Sequence, residues 1–393
     1  MLGSPPDNFP SAAALLFQSR HQRLDSSMAS WSDLPGELLR IIIAALPNPI
    51  HHARFQAVCR SWRSVPSPRK LPGVLLPTGS LLLPFDSAPH RMFPLPENQR
   101  FVGSTDCFLT IDVIDAHNKH TYVLTNPFSR TMLELPELDA VIGNVPETFG
   151  IHKVLTHSGL HGLVVIRTDN RNHPIILLNP GKGVWLPKPR HQPFTRIIDV
   201  AFLGDTLYAI TQAENLISLG VAFYTKGIPT VTSIKRVITG PIVTLEKDKD
   251  APGNRSPHDY IINDAIHLAR DHERPHVDIL TAWYLVQSHG KLLMVRREME
   301  CTSYLEGFTR KVEVFEADIG ARTWVPVSTG LHGHALFLSK HSSKSIVAGD
   351  EIEEDAIYFI DNGEVFNLRS KTTSPPNKDF GFDAMWLFYP SSL

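Results

Sequence analysis

The segment TNPFSRTMLELP, residues 125–136, returns in altered form as LNPGKGVWLP at residues 178–187. Both carry Asn-Pro, a turn, an apolar pair and Leu-Pro, and their Asn-Pro steps, at Asn126 and Asn179, lie 53 residues apart. A third, weaker copy is ADIGARTWVPV at residues 317–327. Each copy reads as a strand, a turn and an outer strand ending at proline. Proline lacks the donor that a central strand must offer, so it belongs at sheet edges and strand ends. A period near fifty residues with about four strands per repeat is the pattern of propeller blades. One such sheet cannot hide both of its faces, so neighbours must stack around an axis.

The flanking sequence follows the same logic. FLTIDVID (108–115) and TYVLTNP (121–127) predict a hairpin across His117-Asn118-Lys119. GLVVIRT and PIILLNP predict another across Asp169-Asn170-Arg171-Asn172. RIIDVAFLGDTLYAIT turns at Gly204-Asp205, WYLVQSHGKLLMVRRE at Ser288-His289-Gly290, and AIYFIDNGEVFNL at Asp361-Asn362-Gly363. Runs rich in Val, Ile, Tyr and Phe that are separated by Gly, Asn and Asp are the local signature of such hairpins. Six blades are expected, near residues 72–100, 101–137, 150–187, 196–240, 277–327 and 334–370. A large β-sandwich with chance echoes is the alternative. Residues 244–275, with EKDKDAPGNRSPHDY, break the spacing and read as an insertion or long loop.

Bulk properties agree with a mainly β protein. The chain has 393 residues, 42% of them hydrophobic and 20% charged. That suits a globular protein and not a disordered one. It carries 31 prolines and 24 glycines, many for a helical protein. The net charge of -2 gives no basic footprint for nucleic acid or an anionic membrane. No apolar run approaches the roughly 18 residues needed to span a bilayer. Three scattered cysteines, Cys59, Cys107 and Cys301, form no CxxC pair, which fits a reducing compartment and argues against a disulfide framework. Residues 1–28 read as a disordered leader, with an apolar stretch too short for a signal peptide and Asp7 ahead of it.

The segment near the amino terminus is different. Residues 31–64, WSDLPGELLRIIIAALPNPIHHARFQAVCRSWRS, are intensely apolar. Pro35 fits the first position of a helix, with Asp33 and Glu37 beside its positive end. Leu34, Leu38, Ile42 and Leu46 recur every four residues, and Leu39, Ile41 and Ile43 add apolar surface on the other sides. Pro47 and Pro49 stop that helix. A second helix is expected to carry Phe55, Val58, Cys59 and Trp62 on one face, with Arg54, Arg60 and Arg63 on its wet side. Two helices of this length bury too little surface to hide several apolar faces alone. They are either a cap on the rest of the chain or a docking module for another protein.

Candidate chemistry is sparse. His51-His52 and His332-Gly333-His334 lack the helical i,i+4 pair plus carboxylate of zinc hydrolases, so no metal is expected. The acidic run Gly349–Asp355 has no EF-hand spacing and reads as a solvated loop between blades. Gly181-Lys182-Gly183 is too short for a phosphate loop, and neither GxSxG nor HExxH occurs. No catalytic residue and no cofactor are assigned. Trp185 and Trp324 hold matching positions in two echoes, where packing between blades is the plain reading.

Two resemblances join these regions. Leu34-Pro35, Leu38-Leu39, Ile42 and Leu46, followed by Phe55, Val58-Cys59-Arg60 and Trp62-Arg63, resemble the F-box. That resemblance implies a small helical bundle over residues 30–68 that binds a Skp1-like protein and through it a cullin. It places Leu34, Pro35, Leu38, Leu39, Ile42, Leu46, Phe55, Val58, Cys59 and Trp62 at the Skp1-binding or bundle-forming positions. The loop PNPIHHA lacks the acidic residue often found there. FLGDTLYAI, YLVQSHGKLLMV, KVEVFEADIGARTWVPV, HALFLS and DAIYFIDNGEVF resemble the plant DUF295 (KIB-type) β-propellers that often follow an F-box, here over residues 72–390. Together they imply a non-enzymatic substrate adaptor of a Skp1–cullin–F-box ubiquitin ligase, in the nucleus or cytoplasm, with an unknown protein substrate. A non-ligase propeller module and a propeller hydrolase are the alternatives.

Overall fold

The computed structural model describes residues 31–46, 49–65, 71–82, 90–91, 95–105, 108–117, 119–126, 131–136, 150–157, 159–160, 162–170, 173–185, 197–224, 227–240, 278–303, 306–349, 351–375, 380–381 and 383–388. The leader and the insertion at 244–275 lie outside these residues. The chain divides into two compact units at Ser67/Pro68.

The larger unit is a six-bladed β-propeller. The first blade holds β1 (Gly73–Leu75), β2 (Ser80–Leu82) and β3 (His90–Arg91). The second holds β4 (Gln99–Ser104), β5 (Leu109–Ile114), β6 (His120–Thr125) and β7 (Met132–Glu134). The third is β8 (Ile151–His157), β9 (Leu163–Thr168), β10 (Ile175–Asn179) and β11 (Gly183–Trp185). The fourth is β12 (Ile197–Leu203), β13 (Thr206–Thr211), β14 (Leu216–Phe223) and β15 (Pro229–Ile238). The fifth is β16 (Asp278–Ser288), β17 (Lys291–Ser303), β18 (Glu306–Asp318) and β19 (Thr323–Pro326). The sixth is β20 (His334–Leu338), β21 (Ser343–Val347), β22 (Ala356–Phe359), β23 (Val365–Asn367) and β24 (Thr372–Thr373). β25 (Met385–Leu387) returns to the first blade and pairs antiparallel with β1, which closes the ring.

All five expected hairpins are present, with tight registers such as Leu203↔Thr206 and Ser288↔Lys291. His289 and Gly290 both have positive φ, at 48° and 72°, as a two-residue primed hairpin turn requires. The three echoes are the third and fourth strands of blades two, three and five. The repeat that suggested blades is thus the outer hairpin of each.

Burial follows from stacking. β9 and β10 are buried along their whole length. Alternate side chains then face opposite neighbours, as the two-residue strand period dictates. Val164 and Ile166 pack with Tyr122, Leu124 and Leu135 of the second blade. Leu163 and Val165 pack with Val200, Leu207 and Ala209 of the fourth. Comparable clusters fill the other four interfaces. Each buried Val, Leu or Ile is worth about 1.5–3 kcal/mol.

Two features depart from the sequence reading. In the sixth blade the first two strands exchange places. The order is β21-β20-β22-β23-β24, and β20 pairs with β22 in parallel. The acidic run lies inside this blade, between β21 and β22, and not between blades. Its last residue, Asp355, is buried, accepting a hydrogen bond from the Leu331 backbone N–H and an ion pair from Arg369 at 2.7 Å.

The smaller unit has a 3-10 turn (Trp31–Asp33), α1 (Gly36–Ala45), α2 (Pro49–Gln56) and α3 (Arg60–Arg63). Pro35 is the residue before α1, with ψ at 140°, and not its first helical position. Pro49 opens α2, where its missing donor is harmless, and so starts a helix instead of stopping one. The single second helix expected over Phe55–Trp62 is two helices. Cys59, at φ −160° and ψ 178°, is extended between them.

Candidate functional site

In the helical unit, Leu39, Ile43, Phe55 and Val65 form a small core, with Leu34, Ile42, Leu46 and Trp62 packed against it. The Phe55 and Trp62 rings lie 4.4 Å apart. Side chains bind the pieces together. His52 Nε2 lies 2.9 Å from the Leu46 carbonyl oxygen, and Gln56 Nε2 donates to the Val65 carbonyl at 3.2 Å. Trp62 Nε1 donates to the Trp31 carbonyl at 2.9 Å. Ser61, through its side-chain hydrogen bond, holds the Cys59 thiol below its ordinary pKa.

The ten residues singled out in the sequence therefore separate. Leu39 and Phe55 are buried inside the unit and present nothing to a partner. Leu34, Ile42, Leu46, Cys59 and Trp62 are half-buried, while Pro35, Leu38 and Val58 are exposed. Relative exposure is 47% for Leu38, 58% for Val58, 65% for Ile41 and 73% for Trp31. Ile41 and Trp31 are the residues that a four-residue stripe could not find. The helix turns one of its lesser faces, the one holding Leu39 and Ile43, inward.

In the propeller, polar side chains lock blade to blade. Asp199 is the hub of the inner strands. Its Oδ1 accepts from Lys153 Nζ of β8 at 2.8 Å, and its Oδ2 accepts from the Leu285 N–H of β16 at 2.7 Å. Bulges help to aim these groups. The pairing registers of β4, β8 and β12 all shift at matching places, Phe101/Gly103, Ile151/Lys153 and Ile197/Asp199. Glu214, in the β13–β14 turn, accepts from Trp283 Nε1 at 2.9 Å and Arg296 Nη1 at 2.8 Å. Its carbonyl accepts from Trp324 Nε1 at 2.8 Å. Trp324 is thus a packing residue between blades four and five.

Arg297, fully buried, holds the fifth and sixth blades together. Its Nη1 donates to both oxygens of Asp361 at 2.8 Å, and its Nη2 to Asn362 Oδ1 and Glu364 Oε2 at 3.0 Å. The guanidinium stacks 3.9 Å from the Phe359 ring centroid. Burial opposes its charge, but Asp361, Glu364 and Tyr284 together outweigh that and raise its pKa above the ordinary value. The Asp361-Asn362-Gly363 turn is therefore a receptor for an arginine as well as a chain reversal.

A group of ionisable side chains gathers around Asp383 and His152. His341 lies 3.6 Å from Asp383, and Lys340 donates to Asp383 at 3.3 Å. The His341 ring, with Lys340, holds the Asp383 carboxyl well below the usual carboxylate range. Burial keeps His341 and His152 neutral, although Asp169 lies 3.7 Å from the His152 ring. Arg167, buried beside them, is brought down to about 10 by desolvation. Inner strands of several blades line a cavity of about 550 Å3. His289, far from His332 and His334 in sequence, meets them there, with ring centroids 6.0 and 5.3 Å apart. Among the described residues no group of three or more metal-ligating side chains is assembled, and no helix is long and apolar enough to cross a membrane.

Comparison with curated protein sequences finds no match. Among solved structures, the crystal structure of the N-terminal domain of Nup159 matches with a TM-score of 0.31 and 8% identity, over 78% of this chain and 68% of that one. A family profile, KIB1-4 beta-propeller, matches residues 82–382, from the second strand of the first blade almost to the closing strand. Three-quarters of the chain, including every interblade lock described above, lies in that match, and the chain belongs to the KIB1-4 beta-propeller family.

Proposed function

We propose that this protein is a substrate-recognition adaptor of a Skp1–cullin–F-box ubiquitin ligase. On this reading residues 30–68 are an F-box that holds a Skp1-like protein and through it a cullin. The propeller, residues 72–390, holds the protein to be ubiquitinated. The chain does no bond chemistry; it raises the local concentration of substrate near the charged enzyme. On this reading the complex would work in the nucleus or cytoplasm.

One observation carries the reading. A unit of three short helices keeps its own core and still exposes Leu38, Ile41 and Val58. Exposed large apolar side chains grouped on a small unit mark a surface for a partner. Membership of a β-propeller family supports a binding role for the rest of the chain. The binding residues are then Pro35, Leu38, Ile41, Val58 and the half-buried Leu34, Ile42, Leu46, Cys59 and Trp62, with Leu39 and Phe55 as their internal support.

The test is co-purification with a Skp1-like protein. Leu38→Asp and Val58→Asp are expected to abolish capture while the melting temperature of the propeller stays unchanged. Full capture by both folded variants would overturn the proposal. Deleting residues 1–67 separates this from the cap reading. The adaptor reading expects a folded propeller that still binds its client, and the cap reading expects a destabilised one.

A further inference from the structure

The axial cavity has a chemistry that the adaptor reading does not use. Its volume of about 550 Å3 falls within the range of small-molecule pockets, about 300–1,000 Å3. Five inner strands, β4, β8, β12, β16 and β21, contribute to its wall, with Phe388 just beyond β25, so the site belongs to several blades and not to one.

The lining is rich in hydrogen-bond donors. Lys153, its charge met by Asp199 at 2.8 Å, and Lys344 lie in the wall with His157, His289 and His334. Ser104, Thr105, Thr156, Ser342, Ser343 and Ser345 add hydroxyls. Among the described residues no carboxylate lines the cavity. Asp199, just behind the wall, already has both oxygens engaged by Lys153, Val200 and Leu285. Asp205 lies outside the lining, exposed and 3.6 Å from His157.

Hydroxyl and imidazole donors without competing carboxylates suit a compact anion. Charge-assisted hydrogen bonds to such a group are roughly twice as strong as neutral ones. We infer that the axial cavity is a binding site for a small organic anion, a phosphate ester or a polycarboxylate, seated between Lys344 and the imidazoles of His157, His289 and His334. The apolar contributions of Leu155, Val286 and Phe388 to the same wall would cover the ligand's carbon skeleton. The inference does not depend on the adaptor reading: a chain that captures no Skp1 and still binds anions leaves it intact.

The experiment is calorimetric titration of the full chain with glucose 6-phosphate, citrate and inorganic phosphate, with glucose as the neutral control. Glucose 6-phosphate or citrate is expected to bind saturably, inorganic phosphate more weakly, and glucose not at all. Lys344→Gln and His289→Asn are each expected to weaken binding by about tenfold, the worth of one hydrogen bond to a charged group. Asn tolerates the positive φ at position 289, so that variant is expected to fold. Three results would overturn the inference. They are the lack of saturation by every anion up to about 10 mM, beyond the millimolar range of weak specific sites, equal binding of glucose, and unchanged affinity in both folded variants. Tighter binding of a glutamate-rich peptide than of either organic anion would also overturn it, by giving the cavity to a partner's acidic side chains.

Discussion

The propeller and the helical unit solve the same problem in opposite ways. Each blade is a sheet with two apolar faces, and each face meets a neighbour, until β25 returns to β1 and no face is left over. The helical unit has three short helices and no repeat. It buries Leu39, Ile43, Phe55 and Val65 and leaves Leu38, Ile41 and Val58 in solvent. The difference is one of closure. A ring of similar sheets consumes its own apolar surface, whereas a unit of some thirty residues has too little interior to do so.

The contrast predicts where mutations hurt. The largest loss is expected at the Arg297 hub. Arg297→Ala leaves Asp361 and Glu364 buried without their cation, and breaking such a pair costs about 3–5 kcal/mol. Urea unfolding should show it. Arg297→Ala at wild-type stability would mean that the fifth and sixth blades are held by apolar packing alone. Next comes Leu39→Ala in the helical core, at about 2–5 kcal/mol. It should lower protection of amide hydrogens in residues 36–63 and leave the propeller's protection unchanged, since the two units have separate cores. A matching loss in the propeller would erase the distinction drawn between them.

The third effect depends on pH. His152 is buried and kept neutral, so the unfolded chain binds a proton there that the folded chain does not. Stability should therefore fall as pH drops below about 6.5, by up to about 1.4 kcal/mol per pH unit for this group. His341, also lowered by burial, acts in the same direction. Asp169, raised by burial, opposes them in the more acid range where carboxyls titrate. Asp383, whose pKa is depressed, stabilises the fold above the ordinary carboxyl range and loses that contribution at still lower pH. Unfolding free energies measured between pH 7 and 5 check this, and His152→Leu should flatten the slope. The smallest effect is expected at Ile41→Ser, within about 0.5 kcal/mol, as for surface substitutions that touch no core. Its consequence should be confined to capture of the Skp1-like partner.

Much of the fold was readable because it is written locally. Asn-Gly, Gly-Asp and His-Gly steps between β-branched runs set hairpin turns within a few residues, and all five expected hairpins exist. The recurrence of Asn-Pro before Leu-Pro marked the outer hairpins of blades two and three. The helical boundaries were less legible. The helical spacing of Phe55, Val58, Cys59 and Trp62 ran straight through Cys59, where the backbone is extended, and joined two helices into one. The stripe of the first helix did not say which face turns inward. An apolar residue every four positions names a face, but α1 is apolar nearly all round, so the inward face depends on where Phe55 and Val65 arrive from outside the helix.

Composition, turn chemistry and repeat spacing are enough to specify a mainly β chain of six similar sheets behind a greasy helical segment. They act between residues close together in the chain, so the sequence displays them directly. Other features come from residues far apart. Ring closure joins Met385–Leu387 to Gly73–Leu75, and the strand exchange puts β21 inside β20. Asp199 binds three blades, and His289 meets His332 and His334 at the mouth of the cavity. None of these has a local signal, because each depends on strand twist and blade number summed around the whole axis. A cavity lined from five blades and by Phe388 beyond the closing strand exists only once those blades have been brought around one axis.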